Sequence, residues 1–568
     1  MTSTEAWRAQ FEGRPTPDLT LRPRRLSAVL DEAADATPDR EAVRFQNTRM
    51  TYAVLRERAE RFAAALRRNG VRPGDRVALM LPNLPQTVVA FWGVMKAGAT
   101  AVMTNPLYRE TELTRHFRDA GVRVLITLDI LWQHIEPLRA TLGLERIVVT
   151  SVGDALRPPL SWLYALKRRR DGDAPAIPWS AQVVRWRDFC ACRERYSPPT
   201  GNPHAEIALL QYTGGTTGEP KGAMLTHAGL TAQLTQLLAI LDVRDEDCHI
   251  FLSIMPFFHV FGLMGNIVLP AAMRATTIPV PRYTPGDLLR TIDRFRPTFF
   301  VGAPAVYISL MQQKTIAQHD LTCIRYCISG SAPFPAEMLR RWQELTHAVI
   351  TEGYGLTEAS PVLAANPVFG RQKIGSIGIP LPLTDIKIVA ADNPEQELGT
   401  NEWGELIARG PQLMAGYWNR PDETAATLRN GWLHTGDIAY RDEDGYYFLV
   451  DRKKDLVIVG GYNVYPREVE EVLYEHPHVA EAVAVGVRHP TRGEALKAFI
   501  VPKAGAILSK SDLAAHCRAR LANYKIPKFF EFRTDLPKTI IGKVLRRTLR
   551  EEEKTKVETE TSSRGKDA

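Results

Sequence analysis

The chain has 568 residues, 45% of them hydrophobic and 24% charged, with a formal net charge of +8. That length exceeds one compact core and predicts two or more domains, while the composition is that of an ordinary globular enzyme. The charge is too diffuse for a nucleic-acid footprint and suits anionic small ligands or an acidic membrane surface.

The six cysteines are irregularly spaced, and the close pairs Cys190/Cys192 and Cys323/Cys327 lack the second half of a zinc site. Reduced thiols and a cytoplasmic setting are expected. Met1 to Pro17 lacks the apolar core of a signal peptide, and no apolar run reaches the ~18–20 residues that span a bilayer. Contact with a membrane would therefore be peripheral, on its inner face.

From the N-terminus, Thr51 is placed to cap an amphipathic helix running to Arg68 and closed by Asn69-Gly70. Val77–Leu81 reads as a strand, Thr87–Lys96 as a buried helix, the run near Ala101 as a second strand, and Asp119–Leu128 repeats the pattern. This alternation predicts a parallel sheet with helices on both faces. Arg157–Thr200 breaks the rhythm with several prolines, Trp162, Trp179 and Trp186, and the basic run Lys167-Arg168-Arg169-Arg170. Trp162, Leu163, Tyr164 and Leu166 beside that run have the make-up of an interfacial lipid contact, and equally of aromatics packed on the body.

After the apolar strand Ile207–Leu210 comes Thr213-Gly214-Gly215-Thr216-Thr217-Gly218-Glu219-Pro220-Lys221-Gly222. Glycines let backbone N–H groups turn inward around phosphate oxygens, the threonines add hydroxyl donors, and Lys221 adds a mobile charge. The stretch is not a Walker A loop, since no Gly-Lys-Ser/Thr occurs. By itself it is also compatible with a surface turn.

Further along, Ser329-Gly330-Ser331-Ala332-Pro333 follows the strand-like Ile324–Ile328, as a ligand-binding turn at a sheet's carboxyl edge would. Glu352-Gly353-Tyr354-Gly355-Leu356-Thr357-Glu358 offers a flat ring for a base, a hydroxyl for phosphate, and in Glu358 a hard oxygen ligand for Mg²⁺. Asp437, closing Asn430–Asp437, is placed to accept from both ribose hydroxyls. Asp385–Val389, Gly404–Ile407 and Tyr446–Val450 read as strands of a β subdomain. Asp451-Arg452-Lys453-Lys454-Asp455 then marks a boundary, and Pro537–Lys543 supplies cations from beyond it. Helix Arg467–Tyr474, strands Val479–Val487 and Leu496–Val501, and helix Leu513–Leu521 form a compact α+β unit. The polar end, 551–568, reads as disordered.

Together and in this order, these motifs resemble the superfamily of adenylate-forming enzymes: acyl-CoA synthetases, aryl-CoA ligases, luciferases and peptide-synthetase adenylation domains. The resemblance spans about Thr51 to Arg550. Within it, Gly431–Ile438, Val450–Asp455 and Gly461–Glu470 are similar to the signature of bacterial long-chain fatty acyl-CoA ligases. It implies an α/β fold, with a large N-terminal domain of parallel-sheet layers and a β subdomain over 1–450, and a hinge at 451–455. A small mobile α+β domain follows over 456–550.

The resemblance also implies the chemistry. A carboxylic acid and ATP give acyl-adenylate and pyrophosphate, and CoA then displaces AMP, with ATP, Mg²⁺ and CoA required. Lys543 would be the catalytic adenylation lysine, and Thr213 to Lys221 would hold the β- and γ-phosphates. Gly330, Ser331 and Ala332, with Glu352 to Thr357, would complete the ATP pocket, with Tyr354 stacked on adenine. Thr213 and Glu358 would place Mg²⁺, Asp437 and Arg452 would hold the ribose, His259 would gate the acyl tunnel, and Lys454 would be the hinge. Gly302–Ala305 would line the pockets.

A long-chain fatty acid–CoA ligase is therefore expected. Medium-chain or aryl-acid CoA ligases are the neighbouring alternatives. A fatty acyl-AMP ligase is disfavoured, because only a short apolar strand separates Lys454 from Gly461. A degenerate nucleotide- or membrane-binding scaffold is disfavoured by the retention of Lys221, Glu358, Asp437, Arg452 and Lys543. Homodimerisation occurs among such relatives, but no segment of the sequence marks an interface.

Overall fold

The computed structural model describes residues 7, 19–213, 220–241, 248–452, 455–459, 462–489, 493–539 and 544–564. Helix α1 (Tyr52–Arg68) begins where expected: the Thr51 hydroxyl accepts from the Val54 N–H at 3.4 Å. Arg67 and Arg68 lie in its last turn, where cations suit the carbonyl end of the helix dipole. Leu55, Ala59, Phe62 and Leu66 recur at helical spacing and are buried. Helix α2 (Pro85–Ala97) is buried along its whole length. Gly93 lets it lie on α1, because a Cβ there would stand 2.6 Å from Phe62 Cδ1.

Two largely parallel sheets form the N-terminal domain. One has seven strands: Val183–Arg185, Arg146–Thr150, Val124–Leu128, Arg76–Met80, Thr100–Met103, β1 (Ile207–Thr213) and the antiparallel β2 (Lys221–Thr226). The other has nine, centred on the parallel run Thr276–Pro279, Ile250–Ser253, Phe299–Gly302, Tyr326–Ser329 and β3 (Val349–Gly355). Successive strand residues point to opposite faces, and the cores follow this. Val77, Leu79, Phe251, Phe299 and Val301 fill one core shared by both sheets, together with Phe91, Trp92 and Met95 of α2. Ala78 and Met80 pack in a second core, and Leu252, Phe300 and Ile350 in a third.

An antiparallel five-stranded sheet makes the β subdomain, with β4 (Trp432–Arg441) beside β5 (Tyr447–Arg452). The smaller C-terminal domain has its own five-stranded sheet and its own core, including Val457, Val469, Leu473, Leu496, Ile500 and Leu513. Among the described residues no helix is long and apolar enough to cross a membrane.

Two sequence expectations change. The stretch 157–200 does re-enter the α/β body: Val183–Arg185 extends the first sheet, and the short helix Trp186–Cys190 sets Trp186 and Phe189 with ring centroids 5.2 Å from Phe62. Of the segment 551–568, expected to be disordered, residues 551–564 continue a helix, Arg546–Arg564, and 565–568 lie outside the described residues. Leu549 is buried there, and Glu552, Glu553 and Lys556 pair with Arg533, Lys497 and Glu531. Polar composition removes apolar anchors, but ion pairs to an adjacent sheet replace them.

Gly355, at the end of β3, carries a steric constraint. A Cβ there would lie 1.7 Å from the Pro361 carbonyl oxygen. Replacing Gly355 with alanine must shift the turn that holds Thr357 and Glu358. The expected loss of unfolding free energy in Gly355→Ala is about 1–3 kcal/mol, measured by denaturant titration. A change within about 0.5 kcal/mol, the size of a neutral surface substitution, would refute it.

Candidate active site

In open parallel sheets ligands bind beyond the carboxyl ends of the strands. Here Gly302, Ser329 and Gly355 stand at three such ends, in neighbouring strands. A Cβ on Gly330 would meet the Gly353 carbonyl at 3.3 Å and the Phe261 ring at 3.5 Å. The turn Ser329–Pro333, the start of Glu352–Glu358 and the His259 segment thus converge. Ser331 holds a left-handed backbone, φ 71°. His259 caps the short helix Val260–Leu263, its Nδ1 accepting from the Phe261 N–H at 3.3 Å. Gln211 of β1 donates to the Phe258 carbonyl at 2.8 Å, fastening this segment to the first sheet.

The antiparallel sheet delivers Asp437 and Arg452 as a directly opposed pair on β4 and β5. Arg452 Nε lies 2.8 Å from Asp437 Oδ1, and the Tyr354 hydroxyl donates to Asp437 Oδ2 at 2.6 Å. The buried carboxylate therefore joins β3 of the nine-stranded sheet to the β subdomain. Burial, reinforced by the Asp437 charge, pushes the Tyr354 hydroxyl well above its usual range. Asp437 in turn holds the Arg452 guanidinium above its ordinary value.

Thr213 and Lys221 are opposed residues of the β1–β2 hairpin, so the strands aim both ends of the glycine-rich loop at the site. Gly214 to Glu219, Lys454 and Lys543 lie outside the described residues. The outer edge of β2 pairs with Ala415–Trp418: Met224 N–H donates to the Gly416 carbonyl at 2.9 Å and Trp418 N–H to the Gly222 carbonyl at 2.8 Å. Tyr417 links the two halves of the site. Its hydroxyl donates to Glu358 Oε1 at 2.6 Å, and its ring lies 5.0 Å from Lys221 Nζ. Sequence reasoning missed Tyr417 and Gln211. The only signal for Tyr417 was an aromatic pair, Tyr417-Trp418, after Gly416 in a turn-rich stretch.

Glu358 is buried, and its second carboxylate oxygen has no hydrogen-bond partner among the described residues. Mg²⁺ bound with a nucleotide takes one or two carboxylates and completes its shell with phosphate and water. Glu358 and the Thr213 hydroxyl fit that donor set. The described residues contain no group of three or more His, Cys, Asp or Glu side chains able to hold a metal unaided.

Glu352 accepts from the Phe334 N–H at 3.2 Å, and burial raises its carboxyl from 4.5 to about 7, against the opposing effects of that bond and of Arg467. The unfolded chain releases this proton near pH 4.5 while the folded chain keeps it to about 7, so stability drains away as pH rises through that window. Relative to Glu352→Gln, the wild-type melting temperature should fall between pH 4.5 and about 7 and then level off. Parallel melting curves for the two proteins across this range would rule out the buried-acid assignment.

The sequence matches the model of the AMP-binding enzyme family over residues 30–418, and that of the AMP-binding enzyme C-terminal domain over 468–543. It is 43% identical to a long-chain-fatty-acid–CoA ligase of Bacillus subtilis (strain 168), covering 97% of this chain and 99% of that one. With the enzyme of the same description from Escherichia coli O157:H7 the identity is 38%, over 90% and 91% of the two chains. The fold superposes on the crystal structure of the anthranilate CoA ligase AuaEII in complex with anthranoyl-AMP with a TM-score of 0.83 at 29% identity, covering 98% of this chain and all of that one. These matches establish that the chain belongs to the AMP-binding enzyme family of AMP-forming ligases.

Proposed function

We propose that this protein is a long-chain fatty acid–CoA ligase. A fatty carboxylate oxygen attacks the α-phosphorus of ATP, the bond to the bridging oxygen breaks, and pyrophosphate leaves with the electron pair. The CoA thiolate then attacks the acyl carbon and AMP departs, giving acyl-CoA. The observation that carries this reading is the convergence on one edge of Lys221–Tyr417–Glu358 and Tyr354–Asp437–Arg452. Near-full-length identity to long-chain ligases supports the choice of acid.

Crowding a carboxylate against a polyanion requires positive charge where the oxyanions develop. Lys543 supplies it between acyl carboxylate and α-phosphate, while Thr213 to Lys221 clamps the departing pyrophosphate and Thr357 donates to phosphate. Mg²⁺ entering with ATP would be held by Glu358 and Thr213 and would neutralise phosphate charge. The hydroxyl tether to Asp437 holds the far end of the Tyr354 ring, whose face is to stack on adenine. Both Asp437 oxygens already accept one bond, and each keeps a lone pair for a ribose hydroxyl. Gly330 to Ala332 and Glu352 to Leu356 wall the adenine pocket, His259 gates the acyl tunnel, and Lys454 is the hinge between a domain over 1–450 and one over 456–550. The setting is cytoplasmic, with peripheral contact at the inner face of the membrane. The anthranilate ligase likeness favours an aryl-acid CoA ligase as the second reading.

Pyrophosphate release and loss of free CoA thiol should be followed with purified protein across acids from acetate to oleate, with benzoate and coumarate alongside. Turnover should peak among the long chains, and a peak at the aryl acids would overturn the fatty-acid reading. Lys543→Ala should slow adenylation by about 100-fold or more while retaining thioester formation from supplied acyl-adenylate. Adenylation at the parental rate would remove Lys543 from the mechanism.

A further inference from the structure

Helix α3 (Leu160–Arg170) shows the body and the solvent two different faces. At 100° per residue, Ser161, Tyr164 and Arg168 share one side, and Trp162, Leu166 and Arg169 the opposite one. The first side is seated: the Tyr164 ring covers Gly153, where a Cβ would lie 3.2 Å away, and Arg168 pairs with Asp129. The second side is open, with Trp162 69%, Leu166 66% and Leu163 57% exposed. Single exposed apolar residues are ordinary, but three on one helix face, next to a cationic turn, form a patch.

The charges beside the patch identify what covers it. Lys167, Arg168, Arg169 and Arg170 make the last turn, and no carboxylate occurs from Arg157 to Arg170. Lys167 and Arg169 have no acidic partner among the described residues, whereas Arg170 reaches Asp171 at 3.2 Å. At the root of the helix Arg157 and Arg58 line a pocket of about 310 Å³ together with Arg61, which pairs with Glu57, and Arg187, which pairs with Asp154. A second copy of the chain docked face to face would set these cations against one another. Indole at headgroup depth, leucines below it and cations toward phosphate match an anionic leaflet.

We propose that α3 docks this protein on an anionic membrane surface, with Trp162, Leu163 and Leu166 at the headgroup–acyl boundary and Lys167, Arg169 and Arg170 against the lipid phosphates. The purpose of this contact rests on the fatty-acid reading, since a long acyl chain resides in the bilayer, but the contact itself does not.

The test is flotation of the full-length protein, without ATP, acid or CoA, on vesicles of phosphatidylglycerol mixed with phosphatidylcholine and on phosphatidylcholine alone. Two variants accompany it: a triple Trp162→Ser, Leu163→Ser, Leu166→Ser and a double Lys167→Glu, Arg169→Glu. The parent should bind the anionic vesicles and leave the neutral ones. Each variant should bind about tenfold or more weakly, with parental turnover of decanoate in vesicle-free buffer. The proposal falls if the parent ignores anionic vesicles, binds both kinds alike, or is matched by the variants. It also falls if sedimentation shows the triple variant converting a dimer of the parent into monomers, which would make the patch a self-contact. Vesicle binding with no turnover of any acid would instead remove the ligase reading and leave the docking surface standing.

Discussion

Two consecutive residues at the end of β5 tie the β subdomain to the nucleotide pocket on one side and to the C-terminal domain on the other. Adjacent side chains of a strand point to opposite faces, and Asp451 and Arg452 use both. Arg452 turns into the N-terminal domain, to Asp437 and through it Tyr354. Asp451 turns outward, accepting from the Arg467 N–H at 2.8 Å and from Arg546 at 2.9 Å. Both carboxylates are buried, and a buried charge is tolerated only when it is fully partnered. The strand end therefore holds the β subdomain against β3 on one side and the C-terminal domain on the other.

Arg546 extends the same logic across the boundary. Its guanidinium faces Asp451, Asp455 at 3.3 Å and Glu470 at 2.6 Å, while Arg550 reaches Asp455 at 2.9 Å. Burial lifts the Glu470 carboxyl above its usual range, and Arg546 opposes that shift. Each of the three acids has a cationic partner, although two arginines leave the fully ionised cluster one negative charge in excess. The domains are thus joined by ionic contacts, which water can replace when they separate, and by the rings of Trp403 and Tyr465 at 5.3 Å, while each keeps its apolar core to itself.

The layout of the fold was legible because it rests on periodicity and caps. Thr51, the wholly buried Pro85–Ala97 and the apolar strands before each loop mark helices and strands from local residues alone. The motif residues were legible as types: a glycine-rich hairpin, a tyrosine before a threonine and an acid, and an aspartate after a glycine. What joins them was not. Tyr354 and Asp437 are 83 residues apart, Glu358 and Tyr417 are 59, and Asp451 and Arg546 are 95. No local pattern encodes such partners, so Tyr417 reads as one more aromatic and Arg546 as one more solvated cation. The end of the chain misled for the related reason that its helix is held by charges from strands well upstream.

The distribution of these contacts bears on how a single site could serve two reactions. Asp451 precedes the proposed hinge Lys454, whereas Asp455, Glu470, Arg546 and Arg550 all follow it. A C-terminal domain turning about Lys454 would carry Arg546 together with Asp455 and Glu470, and would give up Asp451, the bond from the Arg467 N–H and the Trp403–Tyr465 ring contact. Asp451 would then become solvated, and Arg546 would remain doubly paired. The cost of leaving the present orientation comprises one ion pair and one hydrogen bond, groups that water can satisfy, and the edge-on contact of Trp403 with Tyr465, whose ring centroids lie 5.3 Å apart. Two orientations of comparable free energy are what alternation between adenylation and thioester formation requires. A largely ionic junction lowers the cost of the proposed swing, and the Asp437–Arg452–Tyr354 triad precedes the proposed hinge.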